Sequence, residues 1–124
     1  MSALSTPAMQ TTEPTYDVGE ADRIPLGDGR LVRVGHLPLA IFRTRQGDVY
    51  ATQALCPHKA GPLADGITGN GILVCPLHEY KFDLATGEAK TPGCRMIKTY
   101  PAWVNEQGHI LVSLKPKNLE REAS

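Results

Sequence analysis

Two short phrases hold the residues best equipped for chemistry in this chain: Cys56-Pro57-His58 and Cys75-Pro76-Leu77-His78, with sixteen residues between them. Each offers one thiolate and one imidazole. Folded together, the two arms present two sulfurs and two nitrogens, a donor set for soft or borderline metals. A single tetrahedral Zn²⁺ could take all four. In the familiar structural zinc site, however, two Cys come from one arm and two His from the other. Here each arm supplies one of each, an order that suits a two-metal [2Fe–2S] unit in which the thiolates hold one iron and the imidazoles the other. A zinc module used for assembly is the alternative.

Cysteine usage agrees with a metal site. Only Cys56, Cys75 and Cys94 are present, an odd count in a chain with no sign of export, so a disulfide framework is not expected. Cys94 reads as a small packing residue, because four ligands are already found. His36 and His109 lie on or beside predicted strands and read as ordinary strand or surface histidines. Tyr100 and Trp103 are expected to pack inside the sheets. Lys59 and Lys81 flank the Cys/His phrases, where steering of a partner protein is the functional alternative to plain solvation. Asp65 and Asp83 are expected to turn the loops. The chain contains no nucleophile–base pair, phosphate loop or flavin motif, so no substrate site of its own is expected.

The elements that must position these phrases read as short strands with Gly-containing turns. Leu31–Val34, Leu39–Arg43 and Val49–Thr52 are β-like, the last two joined through Gln46-Gly47-Asp48. Gly69-Asn70-Gly71 separates Ile67-Thr68 from Ile72–Val74, a strong hairpin signal. Thr99–Val104 and His109–Leu114 flank Asn105–Gly108 and predict a third hairpin. No window holds a clean helical stripe, and 12 Gly and 10 Pro punctuate the chain. The fold class is all-β, with both Cys/His phrases in loops between strands.

The 124 residues bound a single domain, and 13 basic against 13 acidic side chains give zero formal net charge. A neutral chain has no electrostatic footprint for nucleic acid or an anionic membrane. Neither a membrane-spanning apolar run nor a secretory signal is present in the sequence, which predicts a cytoplasmic protein. Residues 1–15 are expected to form a flexible leader, 16–114 the domain, and 115–124 a tail.

The two phrases and their surroundings resemble the Rieske [2Fe–2S] domain over about residues 16–114. The likeness includes Cys56 through Gly66, Cys75 through Asp83, and the turn at Thr86-Gly87. It implies a sandwich of antiparallel sheets with the cluster at one tip, held by Cys56, His58, Cys75 and His78. A third, covering loop is implied near Thr91-Pro92-Gly93. High-potential members carry an extra pair of cysteines linking the cluster loops; the matching positions here are Gly61 and Leu77. A low-potential cluster is therefore expected. The text Ile24–Arg30, Ala40–Arg43, Val49–Gln53 and Gly61–Gly66 is similar to the small subunit of assimilatory NAD(P)H-dependent nitrite reductase. That similarity implies a place in nitrate assimilation beside a large flavin/sirohaem subunit reducing nitrite to ammonium. The alternative is a free ferredoxin serving a reductase and an aromatic-ring dioxygenase, which shares Phe82-Asp83, Thr86-Gly87 and Thr99-Tyr100-Pro101.

Overall fold

The apolar run Leu39-Ala40-Ile41-Phe42 sets the architecture, because alternate residues of a strand point to opposite faces and here both faces are apolar. Leu39 and Ile41 pack into one buried cluster with Val49, Ala51, Tyr100, Ile110 and Val112. Ala40 and Phe42 pack into a second with Leu63, Leu73, Phe82, Leu84 and Ile97. All four side chains of the run are fully buried. The strand that carries them is thus the partition between two cores.

The structure, a computed structural model, describes residues 14–57, 60–77 and 79–118. Residues 1–13 of the expected leader, and His58, Lys59 and His78 of the expected site, lie outside the described residues. Among the described residues ten strands follow one another: β1 (Thr15–Glu20), β2 (Gly29–Val34), β3 (Leu37–Arg43), β4 (Val49–Gln53), β5 (Ile67–Gly69), β6 (Ile72–Val74), β7 (Lys81–Asp83), β8 (Thr99–Tyr100), β9 (Ala102–Val104) and β10 (His109–Ser113). They form three antiparallel sheets, ordered β1-β10-β9, β2-β3-β4-β8 and β5-β6-β7. The all-β expectation and its antiparallel sheets are what the molecule shows. Among the described residues no helix is long and apolar enough to cross a membrane.

The first core lies between the β1-β10-β9 sheet and the inner face of β3 and β4. The second lies between the other face of β3 and the small β5-β6-β7 sheet. Local chemistry explains the hairpins. Asn70 and Gly71 both have positive φ (53° and 77°), as a two-residue hairpin turn requires, and they place Gly69 opposite Ile72. Asn105–Gly108 closes β9 onto β10 through Asn105 N–H to His109 O at 2.9 Å.

Three features differ from the sequence reading. Thr99–Val104 is not one strand. Thr99-Tyr100 pairs with β4, whereas Ala102–Val104 pairs with β10. Pro101 has no N–H to give to a ladder, and the chain changes sheets there. β1 and β7 were not anticipated; each is held by register with a partner strand rather than by its own apolar pattern. Trp103 is 41% exposed rather than packed between sheets. Its register partner is Leu111, and in β10 it is Ile110 and Val112, on the opposite face, that enter the core.

Residues 115–118 lie against the fold. Lys117 N–H donates to Thr99 O (2.7 Å), and the Asn118 amide donates to Thr86 O and Ile97 O and accepts from Thr99 N–H. His109 is an ordinary strand histidine, its Nδ1 2.8 Å from the Asp17 carboxylate of β1. His36 sits exposed in the turn between β2 and β3.

Candidate metal centre

Both Cys/His phrases occupy loops that leave the second core. The first runs between β4 and β5, the second between β6 and β7, and each is closed by the same device. Cys56 N–H donates to Gly61 O (2.8 Å), and Cys75 N–H donates to Tyr80 O (2.7 Å). In both cases a cysteine amide reaches the carbonyl five residues ahead. Among the described residues each loop also holds one non-glycine residue in the left-handed region, Ala60 (φ 56°) and Glu79 (φ 57°). Such conformations cost on the order of 1 kcal/mol or more apiece and persist where the surroundings enforce them. The two arms are therefore structurally, and not only textually, duplicated.

The loops are pinned to the core below them. Leu55 bridges to Pro62, Leu63 N–H donates to Ala54 O (2.9 Å), and Leu63 itself is fully buried. Phe82, also fully buried, pairs with Leu73 and bridges to Ala89. Asp83 turns the chain as expected, its Oδ1 accepting from the Ala85 and Thr86 amides. Gly87 (φ 82°) has no room for a Cβ, which would run into Ile97 O. Asp65 lies in a single 3-10 turn, its amide bonded to Pro62 O.

Cys56 and Cys75 come together here. Both are free thiols, 3% and 1% exposed, in the same apolar cluster. Burial pushes the Cys75 thiol up, and the neighbouring Cys56 thiol adds to that shift. Two adjacent buried thiols without a disulfide are costly to ionise in a bare site, and a bound ferric ion removes that cost. Leu77 N–H points at Cys75 Sγ (3.4 Å), the kind of backbone N–H to sulfur bond that a ligand thiolate accepts. Gly61 leaves a cradle beside this sulfur. A Cβ there would stand 2.9 Å from Cys75 Sγ and 3.1 Å from Leu77 Cγ. The residues present fit a cluster bound through these sulfurs. The same contact shows that Gly61 and Leu77, the positions matched to the cross-linking cysteines of high-potential relatives, do face each other.

Gly61→Ala is accordingly expected to press on the Cys75 sulfur and lower cluster occupancy. Iron per chain should fall at least severalfold while the far-ultraviolet circular dichroism keeps its β signature. Full iron content in this variant would show that the cradle is not needed.

Cys94 packs as expected: it lies in the segment between β7 and β8, against the cluster of buried residues that includes Cys56 and Cys75. Burial raises its thiol pKa, and the Cys56 thiol is the next contributor. Lys81 is exposed at the start of β7.

Comparison with known proteins adds the family. Residues 14–101 match the Rieske [2Fe-2S] domain. The chain belongs to the Rieske [2Fe–2S] domain family. The ferredoxin component of naphthalene 1,2-dioxygenase/salicylate 5-hydroxylase systems from Ralstonia sp. is 40% identical over 101 residues, spanning 81% of this chain and 96% of that protein. The ferredoxin component of the naphthalene 1,2-dioxygenase system of Pseudomonas aeruginosa is 38% identical over 104 residues, 83% and 98% of the two chains. Among solved structures, one described as an NADH-dependent nitrite reductase small subunit from Mycobacterium tuberculosis superposes with a TM-score of 0.75. It is 24% identical and the match covers 83% of this chain and 96% of that one, which speaks to the shared fold. The ferredoxin of carbazole 1,9a-dioxygenase from Nocardioides aromaticivorans superposes with a TM-score of 0.73 at 27% identity, covering 82% and 98%. This Rieske chain is an electron-transfer protein of oxidoreductase systems, and its cofactor is a [2Fe–2S] cluster with Cys and His ligands.

Proposed function

We propose that this chain is the ferredoxin component of an oxygenase system that attacks aromatic rings, passing single electrons from a reductase to a terminal oxygenase. Cys56 and Cys75 hold one iron of its cluster, and His58 and His78 hold the other. The observation that carries the reading is the near end-to-end match, at 40% identity, to a ferredoxin component of such a system. The bound cluster supplies one-electron chemistry. Replacing two thiolates by two neutral imidazoles leaves the oxidised centre without net charge, so an electron is accepted more easily than by a four-thiolate cluster. The chain's own part is to keep the sulfurs dry and present the centre to partners. Cys56 and Cys75 are buried, while Leu55 (49% exposed) and Leu77 (41% exposed) flank them on the outside. Such an apolar collar suits brief docking with a reductase and then an oxygenase. A cytoplasmic location goes with this reading.

A second reading is favoured by the loop text around Gly61–Gly66 and by Ile24–Arg30: the small subunit of an assimilatory NAD(P)H-dependent nitrite reductase, partnered by a large flavin/sirohaem subunit. One reconstitution separates the two. The purified chain should restore substrate-dependent oxygen consumption to a ferredoxin-depleted naphthalene dioxygenase system and form no stable complex. Stable co-purification with a sirohaem protein, with no support of the oxygenase, would reverse the order of the two readings.

Under either reading the cluster is of low potential, supported by the uncrosslinked Gly61/Leu77 contact. A redox titration is expected to place the midpoint toward the lower end of the range of about −150 to +300 mV spanned by Rieske centres. A midpoint above about +100 mV, well inside that range, overturns this expectation.

A further inference from the structure

A groove of about 220 Å³ opens beside the first Cys/His loop. It is lined by Pro57, the residue after Cys56, by Gln53 and Asn118, and by the segment 95–98. Small-molecule pockets usually run to roughly 300–1,000 Å³. This groove falls below that range, with room for one side chain of a partner rather than for a cofactor of its own.

Hydrogen bonds hold the groove in shape from both ends. The Gln53 side chain donates to Leu55 O (2.7 Å) and accepts from Lys98 N–H (2.7 Å), while the Gln53 backbone amide donates to Lys98 O (2.9 Å). One residue thus straps the entry of the first loop to the 95–98 segment. At the other end the Asn118 amide donates to Ile97 O (3.0 Å) and its carbonyl accepts from Thr99 N–H (2.9 Å). Ile97, between the two straps, is fully buried. A surface fixed before docking avoids the entropy cost of ordering loops on contact.

The same bonds engage the neutral polar groups of the groove, the side-chain amides of Gln53 and Asn118. The remaining polar groups are cationic, since Arg95 and Lys98 are both exposed. Among the described residues no carboxylate lines the groove, and Lys98 enters no ion pair. Through Gln53 the groove adjoins Leu55, which is 49% exposed. Positive charge beside an apolar patch favours a partner that carries a carboxylate and repels one that carries a cation. On a chain of zero formal net charge, a local patch rather than the overall charge has to orient the encounter.

We propose that this groove is a docking seat for an aspartate or glutamate side chain of the protein that takes the electron, with Lys98 as its charged contact. The proposal rests on the reading above in one respect only, that the electron passes to a protein, and it holds for either partner.

The test uses the cluster-loaded chain, Lys98→Gln, Lys98→Arg, and Arg33→Gln as the control for lost charge. Arg33 is exposed on β2, at the opposite edge of its sheet from β8, which Lys98 precedes. Each protein is reduced and then oxidised in a stopped-flow instrument by ferricyanide, which takes one electron and becomes ferrocyanide, or by hexaamminecobalt(III), which takes one electron and becomes cobalt(II). At low ionic strength Lys98→Gln should slow the ferricyanide reaction about threefold or more and speed the cobalt reaction, because the two oxidants carry opposite charge. High salt should remove both effects. Lys98→Arg should behave as the wild type. A change of both rates in one direction overturns the proposal, because it marks an altered potential; an equal effect of Arg33→Gln overturns it too, because it marks overall charge. With the naphthalene dioxygenase system as electron acceptor, Lys98→Gln should raise the KM for the chain about threefold at unchanged kcat. An unchanged KM there overturns the seat. If the wild-type chain supports no oxygen consumption at all, the aromatic-oxygenase reading falls, and the comparison of the two small oxidants decides the seat by itself.

Discussion

Cys56→Ser and Cys75→Ser are each expected to yield a colourless chain, with the visible absorbance, bound iron and reduced-state EPR signal all lost. Both sulfurs are buried in one apolar cluster, and a serine at either position leaves a single thiolate of the pair. A hydroxyl in place of a soft thiolate binds ferric iron poorly in this setting. Because metal binding and local folding share one free energy, the two loops should also lose order, visible as faster exchange of the amides at positions 56 and 75. Those amides donate the loop-closing bonds to Gly61 O and Tyr80 O. Cys94→Ser is the control, because it should keep its iron. Retention of more than half of the iron by Cys56→Ser would move the ligand role elsewhere.

The second large effect concerns the two cores. Phe82→Ala should destabilise the protein by about 3–5 kcal/mol, the range for truncating a buried aromatic. Phe82 is fully buried and lies in the cluster of residues that contains both thiols. The variant should therefore also broaden the EPR signal and release iron faster to a chelator. Leu39→Ala should cost a comparable ~2–5 kcal/mol. Leu39 belongs to the other core, on the far face of β3. Its variant should leave the cluster spectrum as it is. Denaturant midpoints and EPR spectra of the two variants decide the matter, and a spectrum perturbed by Leu39→Ala but not by Phe82→Ala would sink the separation of cores.

The same partition explains what could be read from the sequence. Leu39–Arg43 was legible as a strand and Gly69-Asn70-Gly71 as a hairpin turn, because both signals are local, whereas the burial of that strand on both faces came from the structure. β1 was not legible. Its residues are mostly exposed, and it is held by pairing with β10, far away in the sequence. Thr99–Val104 alternates like one strand, and only the competing claims of β4 and β10 reveal that it serves two sheets. Trp103 was misjudged for a related reason: register against Leu111 decides which face it takes, and register is not a property of a segment alone.

By itself the sequence determined the chemistry. Two Cys and two His suit either metal by softness and count, but one of each per arm favours a two-iron cluster over a single zinc, and that order is written in the chain itself. It also determined the all-β class, through periodicity and turn residues. Only the tertiary structure decided the surroundings of Cys56 and Cys75. It brought Gly61 against Cys75 and Leu77, aimed the Leu77 amide at a sulfur, and packed Cys94 from a third segment against the core that holds both thiols. Those contacts join residues tens of positions apart through the packing of Phe82, Leu73 and Leu63. Local propensity carries no information about which distant side chains a shared core will bring together.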